Sequence, residues 1–119
     1  MLNKGLHLDQ RDSKILFGLF GNDLSSSTIV STNTWYNVTF TLNNTTFEKQ
    51  IFINGSIDNS HTGSGAYTGT GSNTRIAGKA LTFGNTFDGK MASVIAYSEV
   101  LTSSQIADNY DAFKSRYGL

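Results

Sequence analysis

The sequence predicts an all-β protein, an antiparallel sandwich closed by one short C-terminal α-helix, and three observations lead there. Composition is the first: twelve Gly, no Pro, only 15% charged residues and a heavy load of Thr, Ser and Asn describe short strands joined by polar turns. The second is the recurrence of segments in which apolar and polar side chains alternate. The third is a single switch, near the C-terminus, from period two to the period of a helix. At 119 residues and 38% hydrophobic content, the chain reads as one domain, 1–119, with enough apolar material for a small core.

A short strand at Leu6–Leu8 opens the order of elements. Ile15-Leu16-Phe17-Gly18-Leu19-Phe20 is apolar on both faces, as a strand buried between two layers is, and Gly21-Asn22-Asp23 breaks it. It should be central. A strand near Ser27–Val30 follows. From Trp35 to Leu42 the pattern is strictly alternating, with Tyr36, Val38, Phe40 and Leu42 on one face and Asn37, Thr39 and Thr41 on the other. Asn43-Asn44-Thr45-Thr46 then turns the chain into a hairpin partner, Phe47–Ile53, which ends at the turn pair Asn54-Gly55. Gly55 to Asn73 is Gly, Ser, Thr and Asn with one aromatic, Tyr67, and reads as a surface excursion with an edge strand near Tyr67. Arg75-Ile76-Ala77-Gly78 restarts regular structure and Phe83-Gly84-Asn85 turns. Gly89–Tyr97, apolar on both sides, reads as a long interior strand. In the last segment Thr102-Ser103-Ser104-Gln105 forms a capping box, Leu101 is placed to staple onto Ile106, and Ile106, Tyr110, Phe113 and Tyr117 share one helical face. Lys114 and Arg116 suit the negative end of that helix and Gly118 its left-handed stop.

Charge narrows the function. Nine Lys+Arg against nine Asp+Glu provide no basic field for nucleic acid. Without Cys there are no disulfides, thiolate metal sites or cysteine nucleophiles. No stretch approaches the roughly 18 apolar residues of a membrane span, and Met1-Leu2-Asn3-Lys4 is not followed by a signal-peptide core, so if the protein leaves a cell it is expected to do so by another route.

Four pieces, in order, carry a resemblance: Asn33-Thr34-Trp35-Tyr36-Asn37-Val38-Thr39-Phe40, Ile51-Phe52-Ile53-Asn54-Gly55, Arg75-Ile76-Ala77-Gly78, and Phe87-Asp88-Gly89-Lys90-Met91 leading through Tyr97-Ser98-Glu99-Val100-Leu101-Thr102 to Gln105-Ile106-Ala107-Asp108-Asn109-Tyr110. Together they resemble the laminin G-like branch of the concanavalin A-like lectin/glucanase superfamily. The upstream Gly5-Leu6-His7-Leu8, Phe17-Gly18-Leu19-Phe20 and Gly21-Asn22-Asp23-Leu24 resemble variants found in bacteriophage and other viral structural proteins. The resemblance implies a concanavalin A-like jelly roll, but a typical member has more strands before the Trp strand than about 34 residues supply, so one or two edge strands are expected to be missing. The resemblance also implies a virion-surface or extracellular setting, as a capsid decoration protein or tail component. An open edge invites another chain, so subunits of a homo- or hetero-oligomeric assembly are the expected partners.

Candidate site residues are weighed against this frame. Glucanase relatives cut polysaccharide with two carboxylates in an E-x-D-x-x-E-like strand, and here the only Glu residues, Glu48 and Glu99, have no alternating Asp. No catalytic set is expected: neither His7 nor His61 lies near a nucleophile elbow, and Asp108 and Asp111 share the solvated face of the helix. No resident cofactor is expected either. Laminin G-like domains often hold Ca²⁺ at one rim, for which Asp23 and Asp58 are the available loop carboxylates, and His7, Asp9 and Asp12 form a second, weaker cation candidate. Trp35 reads as core or rim packing with sugar stacking as its alternative, and Tyr67 is the better platform for a sugar. The candidate ligand-binding residues are therefore Asn22, Asp23, His61 and Tyr67, gathered as a shallow rim for a glycan. Asn-x-Ser/Thr matches such as Asn37-Val38-Thr39 are expected by chance in so Asn- and Thr-rich a chain.

Overall fold

The computed structural model describes residues 6–19, 21–63, 67, 69, 76 and 87–119. Among these, β1 (Leu6–Arg11), β2 (Lys14–Leu19) and β3 (Leu24–Ile29) form one antiparallel sheet in the order β1-β2-β3. A second antiparallel sheet holds β4 (Val38–Asn43), β5 (Glu48–Ile53) and β6 (Ser56–Thr62) in the order β4-β5-β6, and α1 (Ser103–Tyr117) follows. The all-β sandwich with a C-terminal helix is therefore the observed architecture.

The core forms where the two alternating patterns face each other. Phe17 and Leu24 of the first sheet pack with Ile51 and Ile53 of the second, and Ile15, Tyr36, Phe40 and Leu42 close around them. Phe17 meets Phe40 edge-on, with centroids 5.4 Å apart and rings at 75°. Each fully buried side chain of this kind contributes roughly 1.5–3 kcal/mol by leaving water. β2 is the central strand of its sheet, as its apolarity on both faces predicts, and Leu16 to Leu19 are buried. On β5, Ile51 and Ile53 face this core, so the pleat turns Phe52 to the outer face, where it is also buried. The helix lies against this second sheet: Gly55 sits so close to Tyr110 that a Cβ there would come within 2.9 Å of the tyrosine.

Two hairpins close on two-residue turns with positive φ at both positions, Asp12-Ser13 (51° and 60°) between Arg11 and Lys14, and Asn54-Gly55 (51° and 78°) between Ile53 and Ser56. This is the twist-matched primed turn that Asn-Gly favours. The helix begins with the predicted capping box, in which the Gln105 N–H donates to Thr102 Oγ1 (3.2 Å) and the Thr102 N–H to Gln105 Oε1 (2.9 Å). It ends on Gly118 at φ 68°.

The sheets are stitched along one side by facing irregularities. Between Leu16↔Ser25 and Lys14↔Ile29, β3 carries extra residues, and the Ile15 N–H turns to Ser26 Oγ (3.0 Å). The extra residue in β6 is Asp58, unpaired between Ile51↔Asn59 and Phe52↔Ile57. Its carboxylate reaches across to β3, accepting from the N–H groups of Ser27 (2.6 Å) and Thr28 (3.0 Å) and from the Thr28 hydroxyl. Asn59 Nδ2 donates to the Ser25 carbonyl beside it (2.9 Å).

Two expectations are corrected. Within the Gly55–Asn73 excursion, residues 56–62 form β6, a polar edge strand held by the β5 ladder and the Asp58 stitch rather than by apolar alternation. Gly89–Tyr97 is not a strand: residues 87–100 lack regular structure and are exposed, including Met91, Val94, Ile95 and Tyr97. A strand exists only against a neighbour, and among the described residues this segment pairs with none. The expected strand at 75–78, apart from Ile76, and the turn at 83–85 lie outside the described residues.

Candidate functional site

The β2–β3 turn, the β4–β5 turn and the end of β6 meet at one end of the sandwich. In the first turn Asn22 N–H donates to the Leu19 carbonyl (3.1 Å), and Asp23 Oδ1 accepts from the Leu19 N–H (3.2 Å). Lys49, wholly buried at 0% exposure, crosses from β5 to donate to the Asn22 carbonyl, and its ammonium lies 5.8 Å from the Phe17 ring centroid. The Asn22 side chain lies directly against Gly63, whose N–H donates to the Phe47 carbonyl (3.2 Å). Any side chain at position 63 would displace Asn22.

In the β4–β5 turn, Asn43 Oδ1 accepts from the N–H groups of Thr45 (2.9 Å) and Thr46 (3.1 Å), freeing Asn44 to reach outward. Asn44 then grips the Tyr67 backbone at both ends: its Oδ1 accepts from the Tyr67 N–H (2.8 Å), and its Nδ2 donates to the Tyr67 carbonyl (3.0 Å). Tyr67 keeps an exposed ring on a fixed backbone.

The four residues singled out from sequence are thus placed as follows. Asn22 and Asp23 form the turn, Tyr67 is tied to the neighbouring turn through Asn44, and His61, exposed, stands opposite Lys49 in the β5–β6 register. His61 is on a strand rather than in a loop. Lys49, Asn44 and Gly63 were not singled out. Lys49 alternates with Ile51 and Ile53 on the core-facing side of β5, and this period-two placement is the signal by which a cation aimed inward could have been found. The Asn44–Tyr67 pairing, by contrast, spans the excursion and has no local signal.

Burial dominates the electrostatics of this end. It pushes the Lys49 ammonium below its ordinary pKa of 10.5, and the negative charge of Asp23 partly opposes this. At the helix, the reverse holds for Lys114, whose pKa the Asp111 carboxylate raises from 2.7 Å away. No three His, Cys, Asp or Glu side chains converge among the described residues. Asp58 is committed to β3, its carboxylate accepting three hydrogen bonds there. His7 lies over the backbone of Gly18, while Asp9 binds the Gln10 N–H (2.7 Å) and Arg11 (3.4 Å). Trp35 packs on the helix through Tyr117 at 6.4 Å and remains 42% exposed. No helix among the described residues is long and apolar enough to cross a membrane.

With the geometry in hand, the chain can be set beside known proteins. A laminin G family model described as the concanavalin A-like lectin/glucanases superfamily matches residues 5–107. The chain is similar in fold to residues 221–444 of an S-layer domain-containing protein of Clostridium thermocellum, with a TM-score of 0.58 and 16% identity over 92% of this chain and 58% of that one. It therefore spans less than two thirds of that neighbour, and at this identity the likeness is one of fold. None of the curated proteins matches the chain.

Proposed function

The chain belongs to the concanavalin A-like lectin/glucanase superfamily, and from that premise we propose that it is a non-enzymatic contact module of a surface assembly. Its partners are neighbouring protein subunits, and a virion surface, as capsid decoration or tail component, is the setting implied by the resemblance of its upstream segments. The observation that carries this reading is the run from Phe87 to Val100, in which Phe87, Met91, Val94, Ile95, Tyr97 and Val100 are all exposed. Monomers rarely leave so much apolar surface uncovered. Support also comes from the rim, where Asp23 faces the buried Lys49 while Glu48, next to Lys49 on the alternating strand, turns to the opposite side of the sheet. Glycoside cleavage needs two carboxylates flanking one bond, about 5–10 Å apart. Sedimentation velocity across concentration, at low and high salt, tests the proposal. Association that persists at high salt is expected, because apolar contact is not screened. A monomer at every concentration, or a complex that salt dissolves, overturns it.

A second reading, a secreted or cell-surface carbohydrate-binding module, is favoured by the exposed Tyr67 ring on the backbone clamp of Asn44. Titration with a glycan panel, with and without Ca²⁺, tests it. Saturable binding lost in Tyr67→Ala supports the rim as the sugar site, and no saturable binding removes this reading.

A further inference from the structure

The first sheet ends on β1, and among the described residues no strand lies on its far side. The hairpin decides which of its backbone groups face outward. Arg11↔Lys14 brackets the two-residue turn and is therefore a hydrogen-bonded pair, so by alternation Asp9 and His7 also bond β2, while Gln10, Leu8 and Leu6 turn their N–H and C=O groups to the open edge. Their opposite numbers on β2 agree: the N–H groups of Ile15 and Leu19, across from Gln10 and Leu6, are turned away to Ser26 Oγ (3.0 Å) and Asp23 Oδ1 (3.2 Å). Of the outward groups, only the Gln10 N–H is engaged among the described residues, by Asp9 Oδ1 at 2.7 Å. Leu6 and Leu8 are 41% and 53% exposed. Such an edge is a template for a further strand.

A second copy of β1 fits this edge, and charge selects the register. In an antiparallel pairing through the outward-facing residues, setting Leu8 opposite Gln10 brings Asp9 against its own copy, and like charges directly opposite repel. Setting Leu8 opposite Leu6 brings His7 against its own copy, with no opposite charge to meet it. Only Leu8 set opposite Leu8 places His7 against Asp9, and symmetry makes that pair twice.

We infer that the chain forms a two-fold dimer through β1, in which Leu8 exchanges both backbone hydrogen bonds with Leu8 of the second copy, Leu6 pairs with Gln10, and His7 meets Asp9 at the closely spaced positions between them. The β1-β2-β3 sheets of the two copies become one continuous sheet. Each Leu8 touches the other Leu8 directly and the other Leu6 diagonally, covering apolar surface that the single chain leaves open. Asp9 gives up the Gln10 N–H for the imidazole of the second copy, which releases that N–H to the new ladder. This surface shares no residue with the run from Phe87 to Val100 and does not rest on it.

A single strand from each side is a small interface, so the dimer is sought at high concentration: residue-resolved amide hydrogen exchange of the wild-type chain at about 20 µM and about 2 mM should show Leu6 and Leu8 exchanging at least about threefold more slowly at the higher concentration. His7 and Asp9, whose amides already bond β2, should change little. Sedimentation should show at least about tenfold weaker dimerisation for Asp9→Lys, and recovery to within about threefold of wild type when His7→Glu is added, a rescue that a merely damaged strand would not give. The wild-type exchange decides the matter even if Asp9→Lys fails to fold. Exchange at Leu6 and Leu8 that is independent of concentration overturns the inference, whether fast, because no second copy pairs there, or slow, because the chain covers its own edge. Loss in Asp9→Lys that the added His7→Glu does not restore overturns the register and with it the dimer. Association that leaves Leu8 exchange unchanged and is abolished by Ile95→Asp overturns the β1 dimer while the contact reading of the apolar run stands, whereas Leu8 protection that persists in Ile95→Asp supports the dimer independently of that reading.

Discussion

Lys49 pays a desolvation penalty in the core that Phe17, the Asn22 carbonyl and the charge of Asp23 offset only in part, since its pKa stays lowered. The sign of its pH effect follows. The unfolded chain keeps the lysine proton up to about 10.5, whereas the folded chain releases it at lower pH, so the unfolded state binds more protons in the window just below 10.5. Stability should therefore rise with pH through that window, and urea midpoints for wild type relative to Lys49→Met should show it. Lys49→Met should be stable to within about 1 kcal/mol of wild type or better, because a well-packed apolar replacement removes the buried charge. Lys49→Ala should lose about 2–4 kcal/mol through the cavity it leaves. Asp58 has the opposite character. It is partly exposed, but it satisfies the donors that the β3 irregularity takes out of the ladder. Asp58→Ala should cost about 2–3 kcal/mol by chemical denaturation, and a change below about 0.5 kcal/mol would show that water replaces the stitch.

At the scale of elements, the sequence was most legible where local chemistry and burial agreed. The turn Asn54-Gly55 and the box Thr102–Gln105 are written in adjacent residues, and both formed. Gly55→Ala should cost about 2 kcal/mol, combining a side chain at positive φ with pressure on Tyr110. Thr102→Ala should cost about 1 kcal/mol, read from helix content and thermal midpoint. β6 was illegible because Ser-Ile-Asp-Asn-Ser-His-Thr has a single large apolar residue, Ile57, and even that one is exposed. It is a strand because β5 offers it a ladder and β3 a carboxylate contact, both distant in sequence. Gly89–Tyr97 failed in the opposite sense, since its pattern promised burial that no described neighbour supplies. The rim divides the same way: Asn22 and Asp23 were found as turn residues, while Asn44 and Gly63 matter only through pairings made across the end of the sandwich.

For the molecule as a whole, the position of the apolar run matters more than its composition. The side where β3 meets β6 is closed by Asp58 and Asn59, so a partner cannot add there without displacing bonds already made. Residues 87–100 instead meet the helix, where Asn109 Nδ2 donates to the Tyr97 hydroxyl (3.3 Å). Their carriers of charge are few, Asp88, Lys90 and Glu99, so a partner would meet mostly Met91, Val94, Ile95 and Val100. A charge introduced in that row should therefore weaken association without unfolding the sandwich. Ile95 is 54% exposed, so Ile95→Asp removes little buried area in the isolated chain, and its stability should change by no more than about 0.5 kcal/mol. In a complex the same carboxylate would be desolvated without a partner, at several kcal/mol, raising the dissociation constant by a hundredfold or more on the scale of about 1.4 kcal/mol per decade. Sedimentation of wild type and Ile95→Asp at matched concentration, paired with their urea midpoints, separates the two effects. Equal association of both proteins would mean that the run from Phe87 to Val100 is not the contact surface.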